Sequence, residues 1–161
     1  MIKGLHHNAY RCRDSEETRV FYEGFLGLKM THALRIGETK TGRSVQALHT
    51  FFEMGDGSFL AFFEVPENPF AFKPQSDFDL HIALEVDAPT MDAMIAKAGA
   101  AGQELRGPVD HGFIRSIYLR DPNGYVVELT TKTGIAAAED QGAAHDLLRA
   151  WQRDKPLAMT V

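Results

Sequence analysis

Hydrophobic and polar positions follow the same order in two successive stretches of the chain. Each stretch opens with a short strand-like run that begins on a histidine, His7 in the first and His81 in the second. A helix is predicted next, from Ser15 to about Leu26 and again from Asp87 to Gly102, because polar cap residues precede each helix and glycine ends it. Three strand-like runs then follow each helix: residues 28–36, 44–54 and 58–65, and residues 103–109, 113–120 and 125–131.

This repetition predicts an α+β fold of two tandem βαβββ modules, about residues 4–65 and 79–132. Together the modules make one domain, residues 1–132, of ordinary size for a single hydrophobic core. Residues 66–79 are rich in Pro, Phe and polar side chains, so we expect them to connect the modules over the surface.

A tail, residues 133–161, follows the second module. An amphipathic helix is predicted at about residues 138–153, with Leu147, Leu148 and Trp151 on its apolar side. We expect these three side chains to dock either on the domain or on a second subunit.

The closing turns of the two modules give a register for comparing them. Four residues after Gly124 comes Glu128, a carboxylate on an otherwise apolar strand; four residues after Gly57 comes Ala61. Burying Glu128 without a partner would cost several kcal/mol, roughly, so it either faces solvent or has a cation, a metal or hydrogen bonds beside it.

The same register makes His7 and His81 equivalent, which gives two imidazoles and one carboxylate at related positions. That donor set can hold a metal and leave coordination sites open for a substrate. Because neighbouring strand residues point to opposite faces, only one of His6 and His7 can face inward, and the register selects His7. A surface role for either histidine and a solvated Glu128 remain the alternatives.

Composition narrows the functional classes. The net charge is −5 and no basic stripe is present, so nucleic acid is not expected as a partner. A single cysteine, Cys12, fits a reducing compartment, and no apolar run reaches the roughly 20 residues of a membrane span. The N-terminal residues do not read as a signal peptide, so we expect a cytoplasmic protein with no membrane partner.

Four segments, "HHNAYRCRD", "FYEGFLGLKM", "HIALEV" and "YLRDPNGYVVEL", resemble the vicinal oxygen chelate superfamily over about residues 4–132. Its members include glyoxalase I, fosfomycin thiol transferases, methylmalonyl-CoA epimerase and extradiol dioxygenases. The resemblance implies a metal-binding bowl with His7, His81 and Glu128 as ligands, and a homodimer. The bowl would form within one chain or between modules exchanged by two chains.

Within this superfamily, Ala61 stands where glyoxalase I carries a fourth ligand. The three-ligand members commonly have a tyrosine ten residues before the glutamate, and Tyr118 is there. The segment from His111 resembles the extradiol pattern, with a shorter spacing to the tyrosine than in two-domain extradiol enzymes, and implies that Tyr118 and His111 handle protons. Thiol transferases carry an arginine shortly after the glutamate, whereas Lys132 is the cation here between residues 129 and 148.

The resemblance therefore implies an extradiol-type dioxygenase that acts with dioxygen on a small catecholic, aromatic substrate. Its divalent metal would be Fe(II) in the first place, with Mn(II), Zn(II) or Ni(II) as alternatives. By strand parity His49, Phe51, Phe59 and Phe63 would line the substrate pocket, although core packing explains such residues equally well. The competing interpretations are a lyase, isomerase or thiol transferase with a non-redox metal, and a non-catalytic resistance protein that binds a small molecule.

Overall fold

The computed structural model describes residues 1–134 and 141–156. The first module contains β1 (His7–Arg11), α1 (Ser15–Arg19), β2 (Lys29–Glu38), β3 (Ser44–Glu53) and β4 (Phe59–Glu64). The second contains β5 (His81–Glu85), α2 (Ala88–Ala101), β6 (Leu105–Asp110), β7 (Ile114–Arg120) and β8 (Val126–Lys132), and α3 (Gln141–Asp154) follows it. The α+β class and the two βαβββ modules are confirmed. Of the predicted tail helix, residues 138–140 lie outside the described residues.

Each module forms a four-stranded sheet with the same topology. The strand orders are β1-β4-β3-β2 and β5-β8-β7-β6, with the first strand of each module parallel to the last. His7 lies opposite Phe59 and His81 opposite Val126. Ala61 and Glu128 each follow two residues later, on the same face as the histidine. The register therefore agrees with the equivalence that the turn glycines predict.

Polar caps set the helix starts, as the sequence predicts. Asp14 accepts a hydrogen bond from the backbone N–H of Glu17 at 2.8 Å, and Asp87 accepts one from Thr90 at 2.8 Å. The first helix departs from the expectation in its second half, because residues 20–25 form a π-helical turn rather than continuing as an α-helix. Phe21 and Tyr22 in this turn are buried, so the wider turn still presents an apolar side to the core.

Both sheets contribute to one hydrophobic core. Phe52 and Phe62 of the first sheet and Ile117 and Val127 of the second belong to the same buried cluster. Tyr22 lies between them and is fully buried, with its ring centroid 4.7 Å from that of Phe62. The two modules thus share a core along one face of each sheet, and the domain is one packing unit.

A buried polar junction joins the modules at the second closing turn. The Tyr22 hydroxyl donates to Asp121 Oδ2 at 3.1 Å, and the backbone N–H groups of Asn123 and Tyr125 donate to Oδ1 at 2.9 Å and 2.8 Å. Asn123 in turn accepts from the backbone N–H of Arg13 at 2.8 Å. Burial raises the pKa of the Asp121 carboxyl, and these donors lower it in part. The turn therefore anchors the first module as well as reversing the chain.

Because each sheet gives one face to the shared core, its other face lies on the outside of the domain. We call these the first open face, which carries His7, Ala61 and the aromatic residues around them, and the second open face, which carries His81 and Glu128. The two open faces belong to different sheets, and each is turned away from the common core. No helix within residues 1–134 and 141–156 is long and apolar enough to cross a membrane.

Candidate metal centre

Glu128 is a buried carboxylate on the second open face. It lies in the middle of β8, between Ala83 of β5 and Tyr118 of β7, and only 6% of it is exposed. His81 Nε2 lies 3.5 Å from Glu128 Oε2. The two ligand-type side chains of the second module, His81 and Glu128, therefore lie next to each other. The Glu128 carboxylate does not face solvent.

The hydrogen bond on the far side of the His81 ring fixes which nitrogen carries the proton. His81 Nδ1 lies 2.7 Å from the backbone oxygen of Asp77, which can only accept, so Nδ1 donates. In the neutral imidazole Nε2 then presents a lone pair to Glu128. Two acceptors that face each other at 3.5 Å are satisfied by a cation between them, and a backbone carbonyl on the other ring nitrogen is typical of a metal-binding histidine.

Tyr118 and His111 extend this group. The Tyr118 hydroxyl donates to Glu128 Oε1 at 3.3 Å, and His111 Nε2 lies 3.0 Å from the same hydroxyl. Burial, followed by the charge of Glu128, raises the pKa of Tyr118. Tyr118 therefore stays protonated at neutral pH and can serve as a hydrogen-bond donor. The shorter spacing between His111 and Tyr118 does not prevent their contact.

The other predicted ligand lies on the first open face. The ring centroid of His7 is 5.7 Å from that of Phe51 and 6.2 Å from that of His49, and its Nδ1 is 2.8 Å from Nδ1 of His6. Among the described residues, no three His, Cys, Asp or Glu side chains form a group that could hold a metal ion. One chain therefore brings together His81 and Glu128 but leaves His7 on the other sheet.

The predicted substrate-binding residues form one aromatic patch beside His7. The imidazole of His49 stacks on Phe63 with a centroid distance of 3.6 Å, and the rings of Phe51 and Phe59 meet edge to face at 6.0 Å. His49 Nδ1 lies 3.0 Å from the backbone oxygen of Phe62, and burial lowers the pKa of the imidazole. The first open face thus offers an apolar, aromatic wall that includes one neutral histidine.

Ala61 is fully buried in the middle of the first sheet, where Glu128 lies in the second. Glu64 cannot replace the missing carboxylate, because its Oε2 accepts a hydrogen bond from the backbone N–H of Ser15 at 2.8 Å at the start of α1. The acid therefore faces the helix, as strand alternation predicts. The ligand-type side chains at the repeat-related positions are therefore two imidazoles, His7 and His81, and one carboxylate, Glu128.

Two residues around the site were not singled out by the sequence. Arg106 lies opposite Tyr118 in the sheet, with its guanidinium carbon 4.1 Å from the centre of the tyrosine ring. Arg106 also forms an ion pair with Asp77, the residue whose carbonyl orients His81. Strand alternation could have identified Arg106, because its position on β6 places its side chain on the second open face. No local signal pointed to Asp77, whose contacts depend on the path of the connector.

Comparison with known proteins agrees with this fold. Residues 4–129 match the model of the Glyoxalase/Bleomycin resistance protein/Dioxygenase superfamily. The chain belongs to this superfamily. A probable lactoylglutathione lyase of Vibrio parahaemolyticus is 32% identical over 130 residues, which cover 76% of this chain and 86% of that protein.

Solved structures of the superfamily have the same architecture. A glyoxalase/dioxygenase from Nostoc punctiforme matches with a TM-score of 0.60 and 27% identity, over 81% of this chain and 91% of that one. The fosfomycin resistance protein FosX from Listeria monocytogenes, complexed with Mn(II) and sulfate, matches with a TM-score of 0.59 and 22% identity, over 83% and 96% of the two chains. That Listeria structure contains Mn(II). In the present chain, the imidazole of His81 and the carboxylate of Glu128, 3.5 Å apart, are side chains of the kinds that bind divalent metals.

Proposed function

We propose that the protein is a metal-dependent enzyme whose centre takes His81 and Glu128 from one copy and His7 from a second copy. The observation that carries this proposal is the geometry of His81: the Asp77 carbonyl holds its Nδ1, and its Nε2 faces the buried Glu128 carboxylate at 3.5 Å. An imidazole and a carboxylate so placed can share a divalent metal, and a third donor would complete its protein ligands.

A second copy supplies that donor because the two open faces of one chain belong to different sheets, each turned away from the common core. The first open face of one copy can seat on the second open face of another, which brings His7 and the aromatic wall over Glu128. A twofold axis repeats the contact, so a dimer carries two identical centres. The proposed metal centre therefore requires the homodimer that the sequence leads us to expect.

His7, His81 and Glu128 would hold a divalent metal, Fe(II) in the first place or Mn(II), Zn(II) or Ni(II), which would supply Lewis-acid chemistry to the substrate. The chain itself would do the rest. The Tyr118 hydroxyl would donate a hydrogen bond to a substrate oxygen, and His111 would exchange a proton with Tyr118. Phe51, Phe59 and Phe63, with His49 among them, would exclude water and contact a flat substrate.

The leading reaction in this proposal is extradiol-type cleavage of a small catechol with dioxygen. It is favoured by the chain of contacts from His111 through Tyr118 to Glu128 and by the aromatic wall, which suits an aromatic ring. Three protein ligands, with Ala61 in the fourth position, leave room at the metal for two reactants. Proton handling then falls to residues that the structure already places in contact.

A non-redox reaction is the second candidate. Its support is the 32% identity to a probable lactoylglutathione lyase and the fold shared with a Mn(II)-containing fosfomycin resistance protein. In that case the same residues would polarise a carbonyl or epoxide oxygen and move a proton without dioxygen. The small, buried Ala61 argues against the glyoxalase form of this chemistry, in which a carboxylate is expected at that position.

The deciding experiment loads the purified protein with Fe(II) without air and measures oxygen uptake on a panel of substituted catechols. In parallel, protein loaded with Mn(II), Zn(II) or Ni(II) is given the hemithioacetal of methylglyoxal and glutathione. Ring cleavage with Fe(II), abolished in Glu128→Gln, supports the dioxygenase. Conversion of the hemithioacetal with no oxygen uptake on any catechol would overturn it in favour of the lyase. A protein that binds no divalent metal at all would overturn both.

A further inference from the structure

The apolar side of α3 is uncovered in the single chain. Leu147, Leu148 and Trp151 lie within one turn of each other and are 72%, 53% and 59% exposed. The charged side of the helix pairs locally, as Arg149 does with Asp146. No described side chain of α3 belongs to the core cluster of the domain. Three large apolar side chains on one side of a helix indicate a surface that packs against something outside this chain.

The position of α3 limits what that surface can reach. Eight residues, 133–140, separate the end of β8 from the start of α3, and they span at most about 30 Å. Strand β8 carries Glu128 in its middle. The tether therefore keeps the start of α3 within about 30 Å of the end of β8, the strand that carries Glu128 on the second open face. In the proposed dimer, the first open face of the second copy would seat on that same surface.

The first open face carries an apolar patch that the single chain leaves uncovered. Leu34, on the edge strand β2, lies opposite His49 and is 54% exposed. Next to it, His32 of the same strand contacts the rings of Phe51 and Phe59, with centroid distances of 6.3 Å and 5.8 Å. We call this group the Leu34 patch. On a second copy docked as proposed above, the Leu34 patch would lie on the face turned toward the first copy.

We propose that α3 crosses to the second copy and packs Leu147, Leu148 and Trp151 against the Leu34 patch. The inference rests on the two-copy centre proposed above and adds a second contact to it. In a twofold dimer each copy gives one helix and receives one. The tail is thereby assigned to the second subunit rather than to its own domain, and it holds the aromatic wall closed over the metal centre.

Trp151 is the only tryptophan in the sequence, so its fluorescence reports on this contact alone. We expect the emission to shift to the blue and acrylamide quenching to weaken as the protein is concentrated through its dimerisation range. Leu34→Ser should raise the dimer Kd by about 10²- to 10⁴-fold, because one large apolar side chain contributes about 10- to 100-fold and a twofold dimer loses that contact twice. It should also return Trp151 to the emission of an exposed indole at concentrations where the wild type is dimeric.

Val20→Ser is the matched control, because Val20 is 53% exposed but lies on the π-helical turn, away from both open faces. Sedimentation gives the dimer Kd and plasma emission gives the metal content of each protein. A dimer with full metal content and an exposed Trp151 overturns the helix exchange while leaving the two-copy centre in place. Equal effects of Leu34→Ser and Val20→Ser also overturn it. A monomer that binds no metal overturns both proposals.

Discussion

Two variants that each lack one metal ligand should restore metal binding when they form a heterodimer, if the metal centre is shared between the two copies of a dimer. His7→Ala removes the ligand of the first open face, and His81→Ala removes a ligand of the second. Each variant alone should lose one ligand at both centres and bind the metal more than about 100-fold more weakly, since even partners of a ligand change affinity by about 10- to 100-fold. Neither homodimer should then hold metal at micromolar concentrations.

The heterodimer should bind a different amount of metal, because its two centres receive different sets of ligands. One of its two centres receives both damaged residues, while the other receives His7 from the His81→Ala copy and His81 with Glu128 from the His7→Ala copy. A heterodimer should thus bind about one metal, against about two for the wild-type dimer. In a random mixture of equal amounts, half of the dimers are mixed, so about one quarter of all centres should be restored.

The assay needs two affinity tags on co-expressed variants, tandem purification of the heterodimer, and plasma emission for the metal content. His6→Ala, paired with His81→Ala, is the control for His7→Ala, because His6 is the adjacent histidine but precedes β1 and lacks the register position that makes His7 equivalent to His81. That pair should form one intact centre too, and the His6→Ala homodimer should keep full metal content. A heterodimer of His7→Ala and His81→Ala that holds no metal would refute a centre shared between copies.

Three further predictions concern single side chains. Tyr118→Phe should keep its metal and its fold but lower turnover by about 10²- to 10⁴-fold, measured by steady-state kinetics on the substrate that the panel identifies; wild-type turnover would reduce Tyr118 to a packing residue. Asp121→Ala should lower the free energy of unfolding in urea by about 2–4 kcal/mol, because it leaves buried donors unpaired, whereas Tyr22→Phe, which removes one hydrogen bond, should lower it by about 0.5–1.5 kcal/mol; equal losses would contradict the junction. Because burial lowers the pKa of His49, its contribution to stability is full above its unfolded pKa of about 6.5 and is lost as the pH falls toward the lowered value. His49→Gln should therefore lose less stability than the wild type between about pH 7.5 and about pH 5.5 in urea titrations, and identical pH dependence would show that His49 is free to ionise in the fold.

The order of the elements and the equivalence of the modules could be predicted because their signals are local. Turn glycines such as Gly57 and Gly124, which adopt positive φ, and the alternation along the strands fix where each strand begins and which face each residue takes. From those faces the sequence also places Glu128 with His81 and puts Tyr118 on the same face, where its hydroxyl donates to Glu128. The helix predicted from Ser15 to about Leu26 is present, but residues 20–25 are π-helical, and no sequence signal marks that change.

The relation between the two open faces could not be predicted, because it depends on contacts between residues far apart in the chain. Tyr22 and Asp121 are 99 residues apart, and their hydrogen bond helps to decide which faces share the core. Both a bowl within one chain and a bowl between two chains are compatible with the same strand patterns. The role of Asp77, which joins the connector to His81 and Arg106, was hidden for the same reason.

The separate open faces make metal binding and subunit association parts of one equilibrium. If each complete centre needs two copies, a metal that prefers the complete centre must tighten the dimer by the same factor by which the dimer tightens the metal. Dilution then removes metal as a chelator does, because a separated copy offers two ligands on its second open face and only one on its first. The amount of active enzyme would rise more steeply than in proportion to the amount of protein, so that expression level itself sets how much of the protein is active.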